Sequence, residues 1–235
     1  MIPLKILVHI KVSRGYKMRT LEMTNEELYY LADYVGIESL FGIGEVADFE
    51  EAKLSLINKG VVGTKGEVTD TTILHVKLLE MYVNSKNYFA FQNIIFGIQE
   101  TGVCVIIAYD ERKKTYTLQL GDMLTLLHIV SDHPRIEKGV ISYYQQQYPQ
   151  REIPMTHPEE QRSTLIMEVY DEEGECINYK YIWYEDQTYY ELDENKANEK
   201  EVAEENYFAW IVNCFPTIME TSINQIVKEV EKSHG

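Results

Sequence analysis

The residues able to do chemistry in this chain are scattered, and their spacing is the first thing to weigh. The six histidines are His9, His75, His128, His133, His157 and His234. None forms His-Glu-x-x-His, and no two lie at i, i+4 on a predicted helix, so three or four ligands do not converge on a metal. His75, set among apolar neighbours, reads as a helix-face residue rather than a base. The three cysteines, Cys104, Cys176 and Cys214, are far apart and lack Cys-x-x-Cys spacing. That excludes a zinc ribbon and points to a reducing compartment. No Gly-x-Ser-x-Gly or Ser-x-x-Lys supplies a serine nucleophile. Gly42-Ile43-Gly44 lacks the third glycine, the lysine and the preceding strand of a phosphate loop, so it reads as a turn between helices. Acidic pairs such as Glu185/Asp186 lie at turns and are numerous among 38 acids. The sequence therefore predicts no catalytic residue, no metal and no cofactor.

Aromatic residues give the stronger signal. Tyr179, Tyr181, Trp183, Tyr184, Tyr189 and Tyr190 crowd one stretch, and Tyr207, Phe208, Trp210 and Phe215 crowd another. Tyr and Trp are good strand residues, and they are also favoured at interface cores.

Charge narrows the partner class. The net charge is −16 and the pI near 4.8, which disfavours a phosphate backbone or an anionic membrane surface. Residues 152–205 hold 17 acidic against 4 basic side chains, a net of −13. Such a surface keeps a protein soluble, and it can also steer a basic partner. No apolar run reaches the roughly 18–20 residues of a membrane span. The expected location is the cytoplasm, without membrane insertion.

These residues need elements to position them. Ile2 to Val12 alternates as a half-buried strand. Thr24 and Glu27 form a capping box for a first helix. Asp48-Phe49-Glu50-Glu51 predicts a similar start for a second, which carries Ala52, Leu54, Leu56 and Ile57 and stops at Gly60. A third runs from Thr69 to about Asn84, with Ile73, Val76, Leu79, Met81 and Val83 on its apolar side. Strands are expected at 88–99, 103–109 and 115–120. The apolar run 103–108 marks a strand covered on both faces. Asp122 caps a helix to about Val130, and 135–162 reads as a short helix and an extended connector. A second meander follows, with Leu165, Met167 and Val169 on its first strand. Asp171-Glu172-Glu173-Gly174 is its turn. Ile177, Tyr179, Tyr181 and Trp183 share one face of the next strand, and 188–192 forms the last. A helical segment from about Asn198 to Lys232 buries Phe208, Ile211, Val212, Phe215 and Met219, and Pro216 must kink or split it.

The fold class is thus α+β. An antiparallel sheet with pseudo-twofold halves is flanked by N-terminal helices and a C-terminal helical segment. The domain is one unit, 1–235, open to division into similar halves at 1–134 and 135–235.

The strand, the Thr24-Asn25-Glu26-Glu27-Leu28-Tyr29-Tyr30-Leu31-Ala32 helix start, and the Leu56-Ile57-Asn58-Lys59-Gly60-Val61-Val62 helix end come in a recognisable order. With the glycine turn and third helix that follow, residues 1–120 resemble the N-terminal half of the EspG-type chaperones of type VII (ESX) secretion. Richness in Lys, Ile, Tyr and Glu fits a distant low-GC Gram-positive relative. The resemblance implies a non-enzymatic cytosolic chaperone or adaptor that holds a helical secretion substrate. It also implies a binding surface on sheet-edge loops and the C-terminal helices. There Tyr207, Trp210 and Cys214 lie off the buried stripe, and Glu204 and Glu205 could set the on-rate. The alternatives from other classes are a small-molecule enzyme with an acidic or His-based site and a winged-helix regulator. The latter would read DNA with the third helix, which offers only Lys77.

Overall fold

A computed structural model describes residues 21–46, 49–67, 69–132, 163–185, 188–192, 199–202, 204–216 and 218–220. The predicted strand Ile2–Val12 and the 135–162 connector lie outside them.

The elements in chain order begin with strand β1 (Glu22–Met23) and helices α1 (Asn25–Asp33), α2 (Glu50–Asn58) and α3 (Asp70–Val83). Strands β2 (Asn87–Phe91), β3 (Ile94–Ile98), β4 (Val103–Asp110) and β5 (Thr115–Asp122) form the first meander, closed by helix α4 (Met123–Asp132). Strands β6 (Ser163–Tyr170), β7 (Cys176–Glu185), β8 (Thr188–Leu192) and β9 (Glu199–Val202) form the second, followed by helix α5 (Glu204–Cys214). All nine strands join one antiparallel sheet in the order β1-β5-β4-β3-β2-β6-β7-β8-β9. The α+β class expected from the sequence is the one observed. From the central antiparallel pair β2–β6 the two meanders run outward in the same chain order, β2 to β5 on one side and β6 to β9 on the other. α4 and α5 each follow one of them and pack on the same face of the sheet.

Strand alternation splits the core in two. One face carries Tyr88, Ala90, Ile95, Val105, Ile107, Tyr116, Leu118 and Tyr170 against α1, α2 and α3. The other carries Phe89, Phe91, Phe96, Ile98, Cys104, Ile106, Met167 and Val169 against α4 and α5. β4 is buried on both faces, as its apolar run predicts.

Several sequence expectations need correction. Residues 88–99 are two strands rather than one. Gln92 takes a left-handed φ of 56°, and the Asn93 side chain donates to the Tyr109 carbonyl, so a tight hairpin forms without glycine. The α2 N-cap is Phe49, with no side-chain cap bond, in place of an Asp48 capping box. Leu54 on α2 and Ile73 on α3 point outward instead of joining the apolar sides assigned to them. Residues 199–202 are strand β9, so the last helix starts at Glu204 rather than near Asn198. A bulge between Val169 and Tyr170 leaves Ile177 out of the alternation that carries Tyr179, Tyr181 and Trp183. Val212 is exposed rather than part of the buried stripe.

Other local readings stand. Thr24 and Glu27 make the reciprocal capping box, and Gly60 holds a left-handed φ of 69°. The Asp122 carboxylate accepts from the Thr125 N–H at 2.8 Å, and Asp171 does the same for Glu175 in its turn. α5 ends before Pro216, which begins the next helical stretch, where its missing N–H costs nothing.

Candidate functional site

α5 brings part of the predicted partner surface into its own molecule. Ile211, Phe215 and Met219 are buried against the sheet, and Trp210 and Cys214 pack beside them, half-buried, on the same cluster. Trp210 and Cys214, read from the sequence as lying off the buried stripe, thus adjoin it, and the Phe208 side chain lies outside the described residues. The Asn178 side-chain amide donates to Cys214 Sγ at 3.4 Å. Burial pushes that thiol up, with the Asn178 bond and nearby Lys180 pulling the other way. The side chains of Glu204, Glu205 and Tyr207 lie outside the described residues, although their backbone is helical.

The two buried carboxylates among the described residues, Glu27 and Glu168, are engaged in bonds within the fold. The Glu27 carboxylate is 1% exposed and accepts from Thr24 N–H (2.8 Å), Ser55 Oγ (2.6 Å) and Lys59 Nζ (2.6 Å). It ties α1 to α2. Glu168 accepts from the Tyr170 hydroxyl at 2.7 Å beneath the second meander. Cys104 is buried against Met123, and burial pushes its thiol up to about 12, far from the reactive thiolate range. Among the described residues no group of His, Cys, Asp or Glu could hold a metal ion, and no helix is long and apolar enough to cross a membrane. The strands up to Tyr109 that a winged-helix reading needs as its wing lie in the middle of the sheet, bonded to β6 on one side and β5 on the other. Lys77 on α3 is exposed beside exposed Glu80.

A concave surface forms instead where the loop after α1 folds back over that helix. Three bonds fix the loop. Asn25 Nδ2 donates to the Gly44 carbonyl (2.8 Å). The Tyr29 hydroxyl donates to the Ile43 carbonyl (3.2 Å) and accepts from the Leu40 N–H (3.4 Å). The result is a groove with a cavity volume of about 150 Å³, lined by Tyr29, Asp33, Ile37, Glu38, Glu45, Val46 and Phe49. Its floor is aromatic and aliphatic, and its rim is three exposed carboxylates. Phe49 is held edge-on by Tyr30, with ring centroids 6.2 Å apart. Burial raises the Tyr29 hydroxyl's pKa, the Leu40 bond opposes that, and Glu45 adds to the rise. The groove was not predicted, because its walls come from residues up to twenty apart that meet only once the loop closes. The one visible trace was Tyr29-x-x-x-Asp33, a spacing that puts both residues on one side of α1.

Outward apolar side chains mark the helical layer above. Leu54 on α2 is 65% exposed, and Ile73 and Leu74 on α3 are 50% and 41% exposed.

The family described as Domain of unknown function (DUF5081) matches residues 17–210, most of the chain, and the chain belongs to that family. No curated protein matches it. The family description carries no activity.

Proposed function

We propose that this chain is a non-enzymatic adaptor that binds a helical segment of another protein. In its finer form it is a cytoplasmic chaperone that keeps a helical type VII secretion substrate soluble until export. One observation carries the binding reading: α3 is apolar on two sides. Val76, Leu78, Leu79 and Tyr82 are buried against the sheet, while Ile73 and Leu74 face outward from the same helix. A helix already satisfied by its own core does not need a second apolar side, and a neighbouring helix can use one. Leu54 and Tyr34 extend that outward apolar character over the same layer. The secretion context is supported by the resemblance of residues 1–120 to the EspG-type chaperones. The cytoplasmic location is supported by three cysteines that are all thiols.

The mechanism is mass action. A partner that binds only the folded adaptor is held in its helical state by an amount set by concentration over Kd. The test is co-expression of the full chain with each helical-hairpin protein encoded beside its gene, followed by size-exclusion chromatography. A stoichiometric complex is expected, and Leu74→Asp should weaken it at least about tenfold while the circular dichroism spectrum stays native. If no such protein co-elutes, or if Leu74→Asp leaves the complex intact, the reading fails.

A further inference from the structure

We infer that the groove beside α1 is a receptor for a single basic side chain, best an arginine, presented by an apolar-faced helix of the partner protein. The inference rests on the adaptor reading and names the chemistry the partner must carry.

Size selects a side chain over a small molecule. A cavity of about 150 Å³ is well below the roughly 300–1,000 Å³ of ordinary ligand pockets. Charge selects the sign. Asp33, Glu38 and Glu45 rim the groove, and no Lys or Arg is among its described lining residues. Glu50 adds a fourth carboxylate close by: it and Asp33 raise the pKa of Tyr30, after the larger effect of burial. The floor then selects arginine over lysine. Ile37, Val46, Phe49 and the Tyr29 ring accept an alkyl stem and a flat guanidinium face, while the rim carboxylates accept its forked N–H donors. The Tyr29 hydroxyl is already bonded to Ile43 and Leu40, so its ring is a fixed wall. The groove lies against α1, in the same helical layer whose other helices expose Leu54, Ile73 and Leu74. A basic, apolar-faced helix therefore matches both surfaces, whereas an acidic one is repelled.

The experiment is a titration of the 15N-labelled full chain with a short alanine-based helical peptide. The peptide bears one central arginine between two leucines on one face. Peptides with norleucine or glutamate in place of the arginine serve as comparisons. The expected result is amide shifts centred on Tyr29, Ile37, Val46 and Phe49, with the arginine peptide binding roughly 5- to 10-fold tighter than the norleucine peptide at low salt. The triple variant D33N/E38Q/E45Q should lose that margin. Glu45→Gln alone, at an exposed loop position, should lose part of it and serves if the triple variant disturbs the spectrum. Equal binding of arginine and norleucine peptides, an unaltered margin in the variants, or shifts centred elsewhere would overturn the inference. A chain that ignores the arginine yet still co-elutes with a helical neighbour through Leu74 sinks the groove alone. Loss of both sinks the adaptor reading as well.

Discussion

The two meanders share strand order and direction but not chemistry. In the first, β2 to β4 bury side chains on both faces, toward α1–α3 on one side and toward α4 and α5 on the other. In the second, β6 does so among the described side chains. On β7, Ile182 is buried beneath α5, while Tyr179 is 50% exposed and the bulged Ile177 is 58% exposed. The segment carrying that second meander also accounts for most of the chain's net negative charge. The same topology thus builds a half buried on both faces and a half whose β7 keeps Ile177 and Tyr179 at the surface. Symmetric connection does not dictate symmetric use: what a face does depends on which strand parity holds apolar residues and on what helices follow.

The sharpest break of that contrast is Phe89→Ala. Phe89 is fully buried, 5.8 Å from the Phe96 ring and 6.3 Å from Phe215, so it joins the first meander to the region after α5. Removing it should cost about 3–5 kcal/mol in urea denaturation with the slope unchanged. A loss under about 1 kcal/mol would mean the first half is not the half buried on both faces.

Alkaline pH should act on the same half. Burial pushes both Cys104 and Tyr88 up to about 12, from 9.0 and 10.0. Each folded-state pKa is raised, so the native state holds its proton more tightly than the unfolded chain. The corresponding stability is fully present below about pH 9 for the thiol and pH 10 for the phenol. It is lost as pH rises toward about 12, by about 1.4 kcal/mol per pH unit for each group. Cys104→Ala should flatten the stability–pH curve between about pH 9 and 10, before Tyr88 contributes. An unaltered slope there would show that the thiol is not the titrating group.

How much of this was legible depends on the range of the interaction. The capping box at Thr24 and Glu27, the cap at Gly60, the stop before Pro216 and the double burial of β4 are set by residues within a few positions of each other. Reading the sequence therefore reached them. The β2–β3 hairpin was missed because Gln92-Asn93 uses a non-glycine left-handed residue whose support comes from Asn93 bonding distant Tyr109. β9 was missed because Glu199-Lys200-Glu201-Val202 has a helix-former's composition and becomes a strand by pairing with β8. Trp210 and Cys214 read as a second helix face because the sequence does not show what they meet, and in the fold both pack, half-buried, on the second core cluster. The groove depends wholly on a loop folding back on Tyr29, which no local pattern encodes.

Trp210→Ala separates core from partner surface on α5. The indole is half-buried against the second core cluster, so the truncation should cost about 1–3 kcal/mol, less than Phe89→Ala. The variant should stay folded at room temperature and retain partner binding once corrected for stability. Weakened capture at undiminished stability would restore Trp210 as an interface residue and make the second half the binding half.

The smallest expected effect is Tyr179→Ser. Tyr179 pairs across the sheet with Glu168 on β6, on the face opposite α5, and half of its surface meets solvent. Substitutions at such positions usually change stability by no more than about 0.5 kcal/mol. The residue beneath it, Glu168, keeps its bond from the Tyr170 hydroxyl whatever stands at 179, so no buried carboxylate is stranded by the change. The same substitution in the first meander, Tyr88→Ser, removes a buried ring packed between Phe41 and Tyr82 and a hydroxyl bond to the Tyr82 carbonyl. It should cost several times more, about 3 kcal/mol or above. The two tyrosines occupy strands of the same sheet and differ in what covers them, so the ratio of their costs in urea denaturation measures the asymmetry directly. A cost above about 1 kcal/mol for Tyr179→Ser would mean that its face is packed like that of Tyr88, and the contrast between the halves would collapse.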